Sequence, residues 1–249
     1  MSSIRRLTAL CLLPLLAACA APVTVSRGGD AGRPVDLTVR PVVEVTPESF
    51  DLPTKARAFS QMVRQVEPVA ERECRARAPD LDCDFRIIVD DRANQPANAY
   101  QTLDNAGRPV LAFTLALIAE ARNSDELAFV LSHEAAHHIL YHLDRQNQNA
   151  TMGAVVLGQL AAALTGAEEG AVRTAQQLGA AVGARTYSKN YELEADRLGT
   201  VITQRAGYDP LRGAQFFTRI PDPGNRFLGT HPPNSDRIAI VRRTVERGY

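Results

Sequence analysis

The chain has 249 residues, of which 45% are hydrophobic and 22% charged, enough for one substantial core with a tail. Its 28 basic and 28 acidic residues cancel to a formal net charge of zero. Because it has neither a basic tract nor a recognisable nucleic-acid motif, the composition argues against DNA or RNA as a partner.

Residues 1–18 have the features of a secretory signal. Two arginines precede an apolar run that is too short for a typical membrane-spanning helix. The run ends Leu-Ala-Ala before Cys19, the pattern of a bacterial lipobox, in which the signal is cut before a cysteine that then carries lipid. The alternative is an ordinary signal peptide with an incidental cysteine. We expect a lipoprotein on the periplasmic face of the cell envelope, and Ala20, where an aspartate is absent, favours the outer membrane.

Residues 19–50 are rich in glycine, proline and polar side chains, which predicts a lipidated N-terminus and a tether. Residues 51–249 are predicted to form one folded domain. Cys74 and Cys83 lie in this domain, and an exported protein meets oxidising conditions. We therefore expect these two cysteines to form a structural disulfide and not to bind metal.

The first part of the domain predicts one helix and three short strands. Residues 54–78 place apolar side chains at helical spacing, although Pro68 is expected to kink or divide that helix. Residues 85–89, 98–100 and 109–113 predict extended segments, and turn residues lie before the last. The predicted fold class is α+β, mainly α, with a small antiparallel sheet. If strand 109–113 is an exposed edge, a substrate could add to it.

The rest of the chain predicts helices with recognisable ends. Ser124 is a candidate N-cap, followed by two acidic residues, for a long helix that passes through His133. Gly207 marks a helix end, Pro210 a new start, and a final helix is expected to begin near Asn234.

Residues 152–166 form an uncharged, apolar segment. The apolar part is too short to span a membrane. We expect a buried or groove-covering helix, with a membrane-surface or mobile segment as the alternative.

The segment His133-Glu134-Ala135-Ala136-His137 carries the strongest chemical signal. On a helix, His133 and His137 lie about 40° apart on one face and can bind one metal ion. Neutral imidazole is a good zinc ligand, and Glu134 sits beside the pair as a candidate general base. A histidine-rich helix without metal is the alternative.

A catalytic zinc site needs a third protein ligand. Leu140 and Leu143 occupy the positions where a metzincin would carry glycine and histidine, so that class is excluded. Glu192 and Asp196 lie one turn apart on another predicted helix, where Glu192 can bind zinc and Asp196 can accept the free N–H of a ligating histidine. This is a gluzincin arrangement. Glu194 is expected to be solvated, and a purely solvated acidic face is the alternative for all three carboxylates.

Several motifs together resemble the metallopeptidase family that includes HtpX, the CAAX prenyl proteases and the mitochondrial Oma-type proteases, metallopeptidase family 48. The matching segments are residues 123–137 with His142, 192–197, 98–100, 206–210 and 230–233. Unlike HtpX and the prenyl proteases, this chain lacks several hydrophobic spans, so it is similar to the periplasmic lipoprotein branch.

The resemblance implies a gluzincin-type domain with the small sheet beside the active-site helix, and one Zn²⁺ per chain. His133, His137 and Glu192 would bind the metal, with Glu134 catalytic and Asp196 behind a ligand. Helix geometry points His138 and His142 away from the ligand positions, so they are assigned no chemistry.

Within the family's His-Pro element, two roles are open for His231: stabilising an oxyanion, as a further catalytic residue, or occupying the open metal position when substrate is absent. Arg237 would orient that loop or a substrate carbonyl, or form an ordinary surface salt bridge.

The predicted function is a zinc-dependent metalloendopeptidase in which Glu134 moves the proton and zinc activates the attacking water. The resemblance implies unfolded or misfolded outer-membrane proteins as substrates, with the outer-membrane assembly machinery as a further partner and lipid as the membrane link. The rival is a periplasmic chaperone or assembly factor whose zinc site is structural or shut off by His231. A purely structural lipoprotein lacks any supporting repeat.

Overall fold

The computed structural model describes residues 52–186, 188–222, 224 and 231–248. The predicted signal, the lipidation site at Cys19, the whole predicted tether and residue 51, the first of the predicted domain, lie outside the described residues. The strands are β1 (Arg86–Asp90), β2 (Ala99–Leu103) and β3 (Pro109–Thr114). The helices are α1 (Leu52–Arg77), α2 (Leu115–Glu120), α3 (Ser124–Ile139), α4 (His142–Thr165), α5 (Glu169–Thr186), α6 (Ser188–Arg205), α7 (Pro210–Gly213) and α8 (Asn234–Arg247), with a 3-10 helix at Ala214–Thr218.

The sheet has the order β1-β3-β2 and is mixed, so the antiparallel prediction is right for one pairing and wrong for the other. β2 pairs antiparallel with β3, because a turn closed by the bond from Gly107 N to Asp104 O joins them directly. β1 pairs parallel with β3. β3 is the central strand and is buried at every position, so it is not an exposed edge. Within the described residues, β2 is the edge strand on one side.

The core surrounds α3, which packs between α1 and α6 and touches the sheet. Phe59 from α1 meets Phe113 from β3 edge to face, with ring centroids 5.1 Å apart. Pro68 lies inside α1, which continues through it as one helix and is not divided. Cys74 and Cys83 form a disulfide with Cα atoms 5.7 Å apart, which ties the end of α1 to the chain entering the sheet.

The long helix begins as predicted, but its N-cap is Asn123 and not Ser124. The backbone of Asn123 is extended and its Oδ1 accepts from Glu126 N at 3.0 Å, whereas Ser124 is the first helical residue. The Glu126 side chain is buried and pairs with Arg219 of the loop that follows the 3-10 helix, at 2.7 Å. The acidic first turn therefore anchors α3 to the C-terminal part of the fold.

The predicted ends of the later helices are confirmed. α6 ends at Arg205, and α7 begins at Pro210 with Asp209 as N-cap, its Oδ1 accepting from Leu211 N. α8 begins at Asn234.

α4 and α5 form a helical hairpin that packs mostly against itself. The two helices meet through glycines: a Cβ at Gly179 would lie 2.1 Å from Gly153 O. Their larger apolar side chains point outward, with Met152 63% and Leu164 76% exposed. Residues 152–165 are therefore helical but mostly not buried, which corrects the expectation of a buried helix. None of the described helices is long and apolar enough to cross a bilayer.

Substituting Gly199 of α6 tests whether the close packing of α6 on α3 requires a residue without a side chain. A Cβ at Gly199 would lie 3.0 Å from His133 N and 3.1 Å from His133 Cα, and helical backbone cannot yield easily. We expect Gly199→Ala to lower the free energy of unfolding by about 1–3 kcal/mol, measured by chemical denaturation. Gly170→Ala, whose added methyl would meet only the flexible Glu168 side chain, is the control and should keep or raise stability, because alanine favours the helix more than glycine does. Equal denaturation midpoints for both variants would contradict the packing argument.

Candidate metal centre and active site

His133, His137 and Glu192 converge where α3 crosses α6. His133 Nε2 and His137 Nε2 are 3.0 Å apart, Glu192 Oε2 is 3.6 Å from His133 Nε2, and Glu192 Oε1 is 3.4 Å from His137 Nε2. The three side chains thus present two ring nitrogens and one carboxylate to a common point, and they form a candidate metal site.

The spacing of these donors fits zinc. Ligands about 2.0–2.1 Å from a tetrahedral ion lie about 3.3 Å from one another, close to the observed distances. Two imidazoles and one carboxylate are also a typical protein ligand set of a catalytic zinc site. The donor chemistry and the geometry therefore agree on the kind of ion that this site would hold.

Asp196 fixes the orientation of His133. Its Oδ1 lies 2.9 Å from His133 Nδ1, on the side of the ring opposite the metal-facing nitrogen. Asp196 is fully buried, and Arg237 donates to both of its oxygens at 2.7 Å. Burial alone would raise the pKa of Asp196, but the Arg237 charge and the bond to His133 lower it, so the carboxyl stays ionised. The His133 N–H therefore has a charged acceptor.

The two central side chains are strongly coupled. Burial would lower the pKa of His133, but the hydrogen bonds to Asp196 and Glu192 raise it to about 10. Burial would likewise raise the pKa of Glu192, and its hydrogen bonds to His133, His137 and His231 lower it. The cluster is thus built to attract a positive charge at the point where the three donors meet.

Glu134 lines a cavity of about 570 Å³ beside the metal site. β2 forms one wall through Tyr100 and Gln101, and the 3-10 helix forms another through Phe216 and Phe217. The cavity is therefore a cleft between a strand edge and an apolar wall, with the candidate base and all three candidate ligands along it.

His137 is held by a second set of residues. His142 Nδ1 lies 2.9 Å from His137 Nδ1, and His142 Nε2 lies 3.2 Å from Glu194 Oε2. Arg145 donates to the same Glu194 oxygen at 2.7 Å. Burial, with the charge of His137, lowers the pKa of His142 to about 4. His142 thus lies outside the candidate ligand set but in direct contact with His137, while Glu194 is half-buried in an ion pair and not simply solvated.

The remaining predicted residues are also placed. His138 packs edge to face on Phe85 and bonds to the Asp82 carbonyl at 2.8 Å, away from the site. His231 Nδ1 lies 3.1 Å from Glu192 Oε2, with its side chain 54% exposed.

Arg237 is not a surface salt bridge: it is buried against Asp196, with its guanidinium over the Phe217 ring. Sequence reasoning missed Arg145, although its position three residues after His142 places both on one helix face.

The sequence pattern of peptidase family M48 matches residues 56–245, which confirms the resemblance seen in the motifs. A relative from Vibrio cholerae serotype O1 is 35% identical over 144 residues, which is 53% of this chain and 30% of that protein. The beta-barrel assembly-enhancing proteases of Escherichia coli O157:H7 and Yersinia pestis are 32% and 30% identical with the same coverage. The chain thus matches about 30% of the length of these relatives.

Removing the charge behind His133 should weaken metal binding without removing a ligand. We expect Asp196→Asn to lower zinc affinity about 10–100-fold, because the His133 N–H loses its ionised acceptor. Competition with a chromophoric chelator measures the change. Asp236→Asn, one residue from Arg237 but exposed, is the control and should bind zinc like the wild type. Equal zinc affinity in both variants would show that Asp196 does not support His133.

Proposed function

The chain belongs to peptidase family M48, and on that premise we propose that it is a gluzincin-type zinc metalloendopeptidase that cuts unfolded proteins. The observation that carries this proposal is the meeting of His133, His137 and Glu192 beside Glu134 in one cleft. His-Glu-x-x-His supplies two ligands and a base, and Glu192 supplies the third ligand from a separate helix.

Bound zinc would supply a Lewis acid that lowers the pKa of water and polarises the substrate carbonyl. Glu134, on the same helix as two of the ligands, takes a proton from the attacking water and passes it to the leaving amine. Asp196 and Arg237 keep His133 oriented throughout. Glu192 is assigned to metal binding and Asp196 to orienting His133, so proton transfer is assigned to Glu134.

An extended segment of substrate would lie along β2, with β3 on that strand's other side. Strand addition recognises backbone groups more than side chains, which suits unfolded chains of varied sequence. Phe216 and Ile220 on the facing wall offer apolar contact to substrate side chains. This arrangement supports broad specificity for unfolded segments.

The proposed site of action is the periplasmic face of the cell envelope, with Cys19 as a lipid anchor, more in keeping with the outer membrane than the inner. The names of the E. coli and Yersinia relatives couple protease activity with beta-barrel assembly. We extend this to the present chain as a proposal: misfolded or stalled outer-membrane proteins are its substrates, and the outer-membrane assembly machinery is a partner.

A second candidate is a chaperone or assembly factor whose zinc site is kept inactive. The contact between His231 and Glu192 is the observation that favours it, since an imidazole on a ligand carboxylate stands close to the position that substrate must use. The outward apolar side chains of the α4–α5 hairpin would suit an unfolded chain.

Replacing the proposed base separates catalysis from metal binding. We expect Glu134→Gln to keep one zinc per chain and to lower cleavage of an unfolded protein about a hundred- to ten-thousandfold. His133→Ala should lose stoichiometric zinc, because a ligand is gone. Zinc content by atomic emission and cleavage of unfolded casein measure the two properties. Glu168→Gln, on the exposed turn before α5, is the matched control. Undiminished cleavage by Glu134→Gln would refute the catalytic assignment.

Replacing His231 distinguishes the two functions. We expect His231→Ala to retain zinc, since three ligands remain, and to cleave unfolded casein faster than the wild type, because access is freed. A tenfold or greater fall in rate would instead identify His231 as an oxyanion stabiliser. Zinc-loaded protein that cleaves nothing before or after the substitution would favour the assembly factor.

A further inference from the structure

Behind the second candidate ligand histidine, His137, lies another histidine, whereas His133 has a carboxylate in that position. His137 Nε2 faces Glu192, and its Nδ1 lies 2.9 Å from His142 Nδ1. A ligating nitrogen must offer a lone pair, so neutral His137 carries its proton on Nδ1. The proton between the two Nδ1 atoms therefore belongs to His137, and His142 accepts.

The direction of this first hydrogen bond determines the direction of the next one, from His142 to Glu194. A neutral imidazole that accepts at Nδ1 carries its own proton on Nε2, and His142 Nε2 faces Glu194 Oε2 at 3.2 Å. Glu194 accepts again from Arg145 at 2.7 Å. Every hydrogen bond thus runs one way, from His137 through His142 to a carboxylate that an arginine keeps charged.

Packing holds His142, the middle residue of this hydrogen-bond series, in place. The His142 side chain is 4% exposed, and its ring stacks on Tyr191 with centroids 4.7 Å apart and planes 18° from parallel. The Arg145 guanidinium also lies over the Tyr191 ring, and Asn149 donates to the Tyr191 hydroxyl at 2.7 Å. His142 therefore has little freedom to turn its Nδ1 away from His137.

We propose that His142 is a positioning residue for the metal ligand His137, with Glu194 and Arg145 fixing the tautomer of His142. The inference rests on the proposed zinc site and deepens it. Both candidate ligand histidines then have the same arrangement, in which the ring N–H points towards a carboxylate that is paired with an arginine. On His133 the carboxylate is in direct contact, whereas on His137 one imidazole stands between.

Two substitutions of His142 separate its acceptor from its shape. His142→Phe keeps a flat ring against Tyr191 but leaves the His137 N–H without an acceptor. His142→Asn loses the ring but places an amide oxygen near the former Nδ1. We expect His142→Phe to lower zinc affinity about 10–100-fold and His142→Asn to recover most of that loss. In the Co²⁺-substituted protein, His142→Phe should alter the visible d–d bands and His142→Asn should restore them.

The matched control is His138→Phe, which removes a neighbouring buried histidine whose bond goes to the Asp82 carbonyl. It should leave zinc affinity and the Co²⁺ spectrum unchanged. Zinc affinity is measured on the whole chain by chelator competition, and thermal unfolding of the metal-free proteins shows whether each variant folds. If His142→Phe does not fold, Glu194→Gln takes its place and should lower zinc affinity less, in the same direction, against Glu169→Gln on the exposed face of α5.

The outcomes are separable from those of the proposed function. A folded His142→Phe, or Glu194→Gln in its place, that binds zinc like the wild type would overturn the positioning role while leaving the zinc site intact. Equal losses in His142→Phe and His142→Asn would also overturn it, since the acceptor would then not be the property that matters. A wild-type chain that binds no zinc would overturn both the positioning role and the proposed function.

Discussion

The candidate site depends on holding two imidazole nitrogens 3.0 Å apart, each within 3.6 Å of one oxygen of the Glu192 carboxylate, in a largely buried place. Such groups are costly to remove from water, and they stay together only if each has a partner of suitable charge. The fold meets this constraint by crossing two helices. α3 brings the histidines, α6 brings Glu192, and Gly199 lets the two backbones approach closely enough for the donors to meet.

The same constraint accounts for the residues one step further out. A ring nitrogen that binds metal is oriented by what its other nitrogen touches. Asp196 orients the His133 ring in this way. Arg237 from α8 balances the negative charge of Asp196, which is buried away from water. The C-terminal helix is therefore joined to the candidate metal site by a buried ion pair and does not only cover the core.

Local periodicity made the candidate metal site predictable, because His133 and His137 lie one turn apart on one helix and Glu192 and Asp196 lie one turn apart on another. The buried place of Arg237 could not be predicted, since it depends on how α8 folds back over α6. The edge strand was also misplaced: alternation along the chain identifies strands, but the order in a sheet is a tertiary property. The expectation that residues 152–166 are buried was wrong. Glycines form the contact between α4 and α5, and the large apolar side chains of this segment point outward.

The α4–α5 hairpin lies in sequence between the two halves of the candidate metal-binding motif, and its first helix is held against α6. At its start His142 and Asn149 contact Tyr191, which belongs to the first turn of α6. The contacts between the hairpin and the candidate ligand helices described above lie at the base of the hairpin. The entropy cost of closing a loop also grows only slowly with loop length. Sequence added or removed near the Gly166 turn would change the height of the hairpin while leaving the ligand spacing unaltered. The fold thus provides a segment whose length and surface can diverge independently of the chemistry.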